Sequence, residues 1–264
     1  MKHFLCITLL LWPFTTMALP ASTLHELRQQ FLDEFSADAQ VKGFQLDLII
    51  DYNDNETFST VNIRDGQWQV VIPKGLAEHP SLTLGGFFAF ACHELGHLIG
   101  GAPFVEAGNL NSLRGSVEGQ ADYFTSLKCL PRLFQQKNWP TELSPPDIVK
   151  KYCQIHNRSE RQTSCVKTIM ASLDFVRFIE QDIGTSVLAQ LDQKDPIEVP
   201  TRTLINYPKT IQCRLDTLLA GALCQADPSE ATDDLNPNIG ACSHGIGARP
   251  RCWFKPDGVD AEGA

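Results

Sequence analysis

A chain of 264 residues, 43% hydrophobic and 20% charged, is long enough for one well-buried domain and too apolar to be disordered. Its net charge of -9 repels phosphate backbones, and no basic stripe interleaved with aromatics offsets that charge. Nucleic acid is therefore excluded as the expected partner.

The first residues read as a targeting segment. Met1-Lys2-His3 is a short positive start, Phe4 to Phe14 is an apolar run too short to span a bilayer, and small residues follow at Ala18 and Ala21. A secretory signal peptide over 1–18 is expected, cut after 18 or 21. No later segment reaches the roughly 18 apolar residues that a membrane helix needs, so the mature chain is not expected to span a membrane. Setting aside Cys6 inside the apolar run leaves eight cysteines: Cys92, Cys129, Cys153, Cys165, Cys213, Cys224, Cys242 and Cys252. An even number in an exported chain predicts disulfides, and their absence from any C-x-x-C argues against a cysteine zinc site. The short loops suggest Cys153–Cys165 and Cys242–Cys252, although connectivity does not follow from sequence.

In chain order, residues 23–36 carry Leu24, Leu27, Phe31 and Phe35 on one side of a helix. Phe44, Leu46, Leu48 and Ile50 then alternate as a half-buried strand. Asp51 to Asn55 is a polar turn, and Phe58–Ile63 reads as a second strand. Asp65-Gly66 is a hairpin signal leading into a third strand, Gln67–Ile72, closed by Pro73. Together these predict a small antiparallel meander. Leu82–Ile99 is apolar almost all round, which marks a buried helix, and Gly100-Gly101 with Pro103 ends it. A second helix is expected from about Ser112 or Ser116 to Leu130, stopping before Pro131. Helical patterns return at 146–155, 160–183 and 209–224. From 225 the chain is rich in Pro, Gly, Asp and Asn and has no periodicity. This divides the chain into a signal peptide (1–18), a domain (19–224) and a cysteine-containing tail packed on it (225–264).

The chemistry lies in His93-Glu94-Leu95-Gly96-His97, an H-E-x-x-H. Four-residue spacing puts His93 and His97 on one helical face, where both imidazoles can reach one metal, with Glu94 beside the first ligand. A catalytic zinc takes three protein ligands and leaves one position open. The third ligand is expected at Glu118, 21 residues beyond His97. Asp122, four residues further on the same face, can accept the free N–H of a ligating imidazole, His93 being preferred. The bland alternative is core histidines beside an ordinary solvated helix face. Two carboxylate–histidine arrangements at compatible distance make that reading the weaker one. Cys92 precedes His93 but lies off the ligand face, and a disulfide from it to Cys129 is hypothesised.

H-E-L-G-H followed by E-x-x-x-D resembles the gluzincin group of zinc peptidases. Within that group it resembles the HtpX-type peptidases, including their soluble exported bacterial relatives, over about residues 60–130. The resemblance implies an α+β, zincin-like fold. It implies one Zn2+ per chain held by His93, His97 and Glu118, and peptide-bond hydrolysis with Glu94 as general base. It also implies a secreted or periplasmic location and a peptide or protein substrate. A weaker similarity places Tyr207-Pro208 and Arg214 near the family's His-Pro and arginine. Tyr207 would then donate to the oxyanion, the rival being an ordinary loop tyrosine, and Arg214 would pair with a carboxylate near the site. Strand addition of an extended peptide along an exposed edge, with Gln67–Ile72 as the candidate, is a fold-level expectation. The competing functional class is a zinc-stabilised binding or chaperone-like module with masked or little proteolysis. A metal amidase acting on something other than protein is a further alternative.

Overall fold

Leu24, Leu27, Phe31, Phe35 and Ala39 recur every three or four residues, and all lie buried along one side of α1 (Ala21–Val41). The computed structural model describes residues 18–106, 114–137, 139, 144–156, 159–197, 203–204 and 210–256. Residues 1–17 of the expected signal peptide (1–18) lie outside the described residues. Helix α1 ends at Val41 with Lys42 as its cap, and Gly43 follows at φ 86°, a conformation that glycine adopts without a Cβ clash.

Three strands follow: β1 (Gln45–Asp51), β2 (Thr60–Arg64) and β3 (Gln67–Pro73). The β2–β3 hairpin turns on Asp65 (φ 50°) and Gly66 (φ 79°), the positive-φ pair that an Asp-Gly turn requires. The sheet, however, is not an antiparallel meander. Its order is β1-β3-β2, with β1 parallel to β3 and Leu48 opposite Val70. The physical reason is burial. Trp68, Val70 and Ile72 of β3 are all buried, whereas β2 has no buried residue, so β3 takes the centre and the polar strand takes an edge. The 51–60 connection carries the chain past the place that β3 fills. Gln67–Ile72 is therefore not the exposed edge expected from sequence, since both of its sides are paired.

After a short turn of helix, α2 (Lys74–Ala77), the long helix α3 (Leu84–Ile99) runs through the core. Thr83 caps it: its Oγ1 accepts from the Gly86 N–H at 2.9 Å. The aromatic face of α3 meets α7 (Gln162–Asp182), Phe90 lying edge-on to both Phe175 and Phe178. A two-stranded ribbon, β4 (Phe104–Glu106) with β5 (Arg114–Ser116), follows where the sequence suggested the start of a helix. Helix α4 (Glu118–Phe124) begins only after it. Nor does that helix stop before Pro131. A π-helical turn, Thr125–Cys129, leads directly into α5 (Leu130–Gln136). The wider π turn falls where the proline ring would otherwise crowd the Leu127 carbonyl, and it lets the rod continue. Helices α6 (Asp147–His156) and α8 (Ile211–Leu223), with α7 between them, complete a mostly helical α+β fold.

Four disulfides tie these parts together. Cys92–Cys129 links α3 to the π turn, and Cys153–Cys165 joins α6 to α7. The short-loop pairing Cys242–Cys252 does not form. Cys252 pairs with Cys213 and Cys242 with Cys224, one near each end of α8. The tail lies along this helix, so each tail cysteine meets a helix cysteine rather than its neighbour in sequence. Trp253 is fully buried and donates through Nε1 to Thr217 Oγ1 at 2.9 Å. Among the described residues no helix is long and apolar enough to cross a membrane.

Candidate metal centre

Helices α3 and α4 touch at Gly96 and Ala121. A Cβ on Gly96 would lie 2.8 Å from Ala121 Cα and 2.9 Å from its carbonyl oxygen, so only glycine permits the approach. His93 and His97 stand three residues before and one after Gly96. Glu118 and Asp122 stand three before and one after Ala121. The helical repeat thus turns all four side chains into the same crossing.

There His93 Nε2 and His97 Nε2 lie 3.2 Å apart. Glu118 closes a triangle, with Oε2 3.2 Å from His93 Nε2 and Oε1 3.6 Å from His97 Nε2. These three residues form a group able to hold a metal ion. The edges suit one: ligand atoms at about 2.0–2.1 Å around a tetrahedral zinc are about 3.3 Å from each other.

The outer nitrogens fix the tautomers. His97 Nδ1 donates to the Ser116 carbonyl at 2.8 Å. His93 Nδ1 faces Asp122 Oδ1 at 2.8 Å, an ion-pair distance without the alignment of an ideal hydrogen bond. With both Nδ1 atoms beside acceptors, the proton belongs there, and the Nε2 lone pairs point inward at each other and at Glu118. Two imidazole lone pairs facing a carboxylate call for a cation between them. A proton meets that need in part. Burial disfavours charge on His93, but Asp122 and Glu118 outweigh it and raise the pKa to about 10. Burial likewise works against charge on Glu118, yet His93, His97 and Arg214 hold its carboxyl down at about 2.

Arg214, from the first turn of α8, spans both carboxylates of α4. Its Nη2 lies 3.2 Å from Glu118 Oε2 and its Nε 3.0 Å from Asp122 Oδ2. With both imidazoles neutral, as metal ligation requires, the formal charges at the centre are Glu94, Glu118 and Asp122 against Arg214. The balance is two negative charges, which a divalent cation cancels. Glu94 is buried beside His93, and its Oε1 accepts from Ser59 Oγ at 2.8 Å. Tyr207 lies outside the described residues.

Two participants had no signal in the sequence. Ser116 contributes only a main-chain carbonyl, placed by the hydrogen bond from its own Oγ to Gly101 O at 2.7 Å. Ser59 is an isolated serine before β2, 35 residues from Glu94, and only the sheet order brings it near. The tail meets the other side of α4. Trp253 lies against Gly119, Arg249 Nε donates to Gln120 Oε1 at 2.7 Å, and Tyr123 Oη donates to Gly247 O at 2.6 Å.

Comparison with family models, with curated proteins and with solved structures finds no match to this chain.

Proposed function

We propose that this protein is an exported zinc-dependent endopeptidase with a zincin-like fold, similar to the soluble HtpX-like gluzincins. The observation that carries the reading is the triangle of His93, His97 and Glu118 with a buried carboxylate, Glu94, one residue from the first ligand. Two nitrogens and one oxygen form a donor set suited to zinc, and three protein ligands leave a position open, as catalytic rather than structural sites do. Bound there, zinc would supply Lewis acidity, making a water more acidic and polarising the scissile carbonyl.

The chain's own residues do the rest. Glu94 takes the proton of the attacking water and passes it to the leaving amine. Ser59 occupies one lone pair of its carboxylate and so orients the other oxygen. Asp122 and the Ser116 carbonyl keep both imidazoles turned with Nε2 inward. Arg214 balances the charge of Glu118 and Asp122 from behind. Tyr207 is proposed as an oxyanion donor. An extended substrate would pair with β2, the open edge that leads directly from Ser59. Four disulfides and the N-terminal signal pattern support export. Where the tail packs on α4 it takes the face away from Glu118 and Asp122, and its Thr232 and Asp233 meet the end of α3 at Ile99 and the residues after it, which favours an unmasked enzyme over a masked module.

The test is Glu94→Gln, assayed on unfolded protein substrates alongside metal content. Turnover lost with zinc retained supports the mechanism; turnover retained in the variant sinks it.

A further inference from the structure

Away from the metal centre, a cavity of about 170 Å3 opens between the C-terminal ends of α1 and α3, the π turn and the tail. Val41, Ile99 and Phe124 give it apolar walls. Val41 is 86% exposed and so stands at its mouth. Lys128, from the π turn, also lines it and is only 1% exposed.

A buried ammonium needs acceptors for three N–H groups. Among the described residues Lys128 Nζ has one hydrogen bond, to the Asp227 carbonyl at 2.5 Å. The other cations lining the cavity are already paired with carboxylates. Arg132 contacts Glu34 and Asp38, and Lys42 contacts Asp234. Among the described residues Lys128 is thus the one of these lining cations with no carboxylate at ion-pair distance, although Glu230, which lines the same cavity, and Asp227 act on it from further away. Burial pushes its amine down to about 8, against the opposing pull of Glu230 and Asp227. The lining is mixed: Asp38 is neutralised by Arg132 and Glu230 is the other carboxylate, while apolar walls beside a buried ammonium with one hydrogen bond are complementary to an anion attached to an apolar body.

We propose that this cavity binds a small organic carboxylate, its anionic end on Lys128 Nζ and its apolar body against Val41, Ile99 and Phe124. The size fits, since a cavity of about 150 Å3 admits a benzene ring. The site rests on the last turn of the metal-bearing helix. Thr232, which also lines it, donates through Oγ1 to the Ile99 carbonyl at 2.8 Å. It stands independently of the peptidase reading.

The test is calorimetric titration of the purified full chain with benzoate and hexanoate, beside their neutral alcohols. Each carboxylate is expected to saturate one site per chain and to bind roughly tenfold or more tighter than its alcohol. Lys128→Met removes that preference. Val41→Trp, an exposed substitution that does not touch Lys128, obstructs the mouth and weakens both carboxylates. The absence of saturable binding by either acid, equal binding of acid and alcohol, or binding unchanged in Val41→Trp would each overturn the proposal. Should Lys128→Met not fold, the alcohol comparison and Val41→Trp decide it alone.

Discussion

Gly96 of α3 rests directly on Ala121 of α4, and the candidate metal centre is laid out about that contact. His93 and His97 flank the first residue with the same offsets by which Glu118 and Asp122 flank the second. The crossing sets the spacing of the candidate ligands, so on the proposed reading the interhelical distance there bears on metal binding as well as on packing.

Gly96→Ala tests this layout. The added methyl meets main-chain atoms of Ala121, which cannot rotate away. Overpacking of this kind costs about 1–3 kcal/mol. The expected outcome is a lower melting temperature together with weaker zinc binding. A variant as stable as the parent and as tight for zinc would show that the helices separate freely.

Asp122 is fully buried between His93 Nδ1 and Arg214 Nε. Asp122→Ala removes the carboxylate that both face, leaving Arg214 its contact with Glu118. Partners that orient metal ligands are typically worth about 10–100-fold in affinity. Zinc affinity, read by competition with a chromophoric chelator, is expected to fall within that range while the chain stays folded. An unchanged affinity would mean that His93 is oriented by packing alone, for instance by the Phe175 ring 5.7 Å away.

The metal-free protein should have a particular pH profile. The folded-state pKa of His93 is raised to about 10 from an ordinary 6.5, so the folded form binds more protons than the unfolded form between those values. The stability from this pair is therefore complete below 6.5 and is lost as pH rises toward 10. Glu118 behaves in the opposite sense: held at about 2 instead of 4.5, it contributes above 4.5 and ceases to as pH falls toward 2. Melting temperatures of the metal-stripped chain should decline on both sides of a plateau between about 4.5 and 6.5. Zinc uptake at pH 8 should also release about one proton, from His93. A flat profile together with no proton release would contradict the assigned pairing.

Ser59→Ala should lower kcat by about tenfold, the scale of one hydrogen bond to a charged group, with zinc content unchanged. Ser59→Thr, which restores a hydroxyl, should recover much of it. Equal losses in both variants would assign Ser59 a packing role.

Trp253 fills the space above Gly119 and anchors the tail. Trp253→Ala should cost about 3–5 kcal/mol, measured by denaturant unfolding, without raising peptidase activity. A gain in activity would mean that the tail restrains the site after all.

Much of the centre was legible in the sequence because helical periodicity is short-ranged. His93, His97, Glu118 and Asp122 each sit four residues from a partner, and geometry alone puts them on common faces. The buried character of α3 and the Asp65-Gly66 turn were legible for the same reason. What escaped depends on contacts distant in sequence. Alternation shows which face of a strand is buried, not which strand is its neighbour, so the central place of β3 and the reach of Ser59 to Glu94 were hidden. The β4–β5 ribbon is too short to leave a pattern, and nothing local announces a π turn ahead of Pro131. The tail cysteines pair with α8 because of how the tail lies across it, which loop length does not encode.

The central claim is a three-ligand zinc centre, and elemental analysis of the purified mature protein beside Glu118→Ala tests it most directly. About one zinc per chain, lost or sharply weakened in a Glu118→Ala variant that stays folded by circular dichroism, is the predicted result. A chain without zinc, or one that holds it regardless of Glu118, would contradict the account.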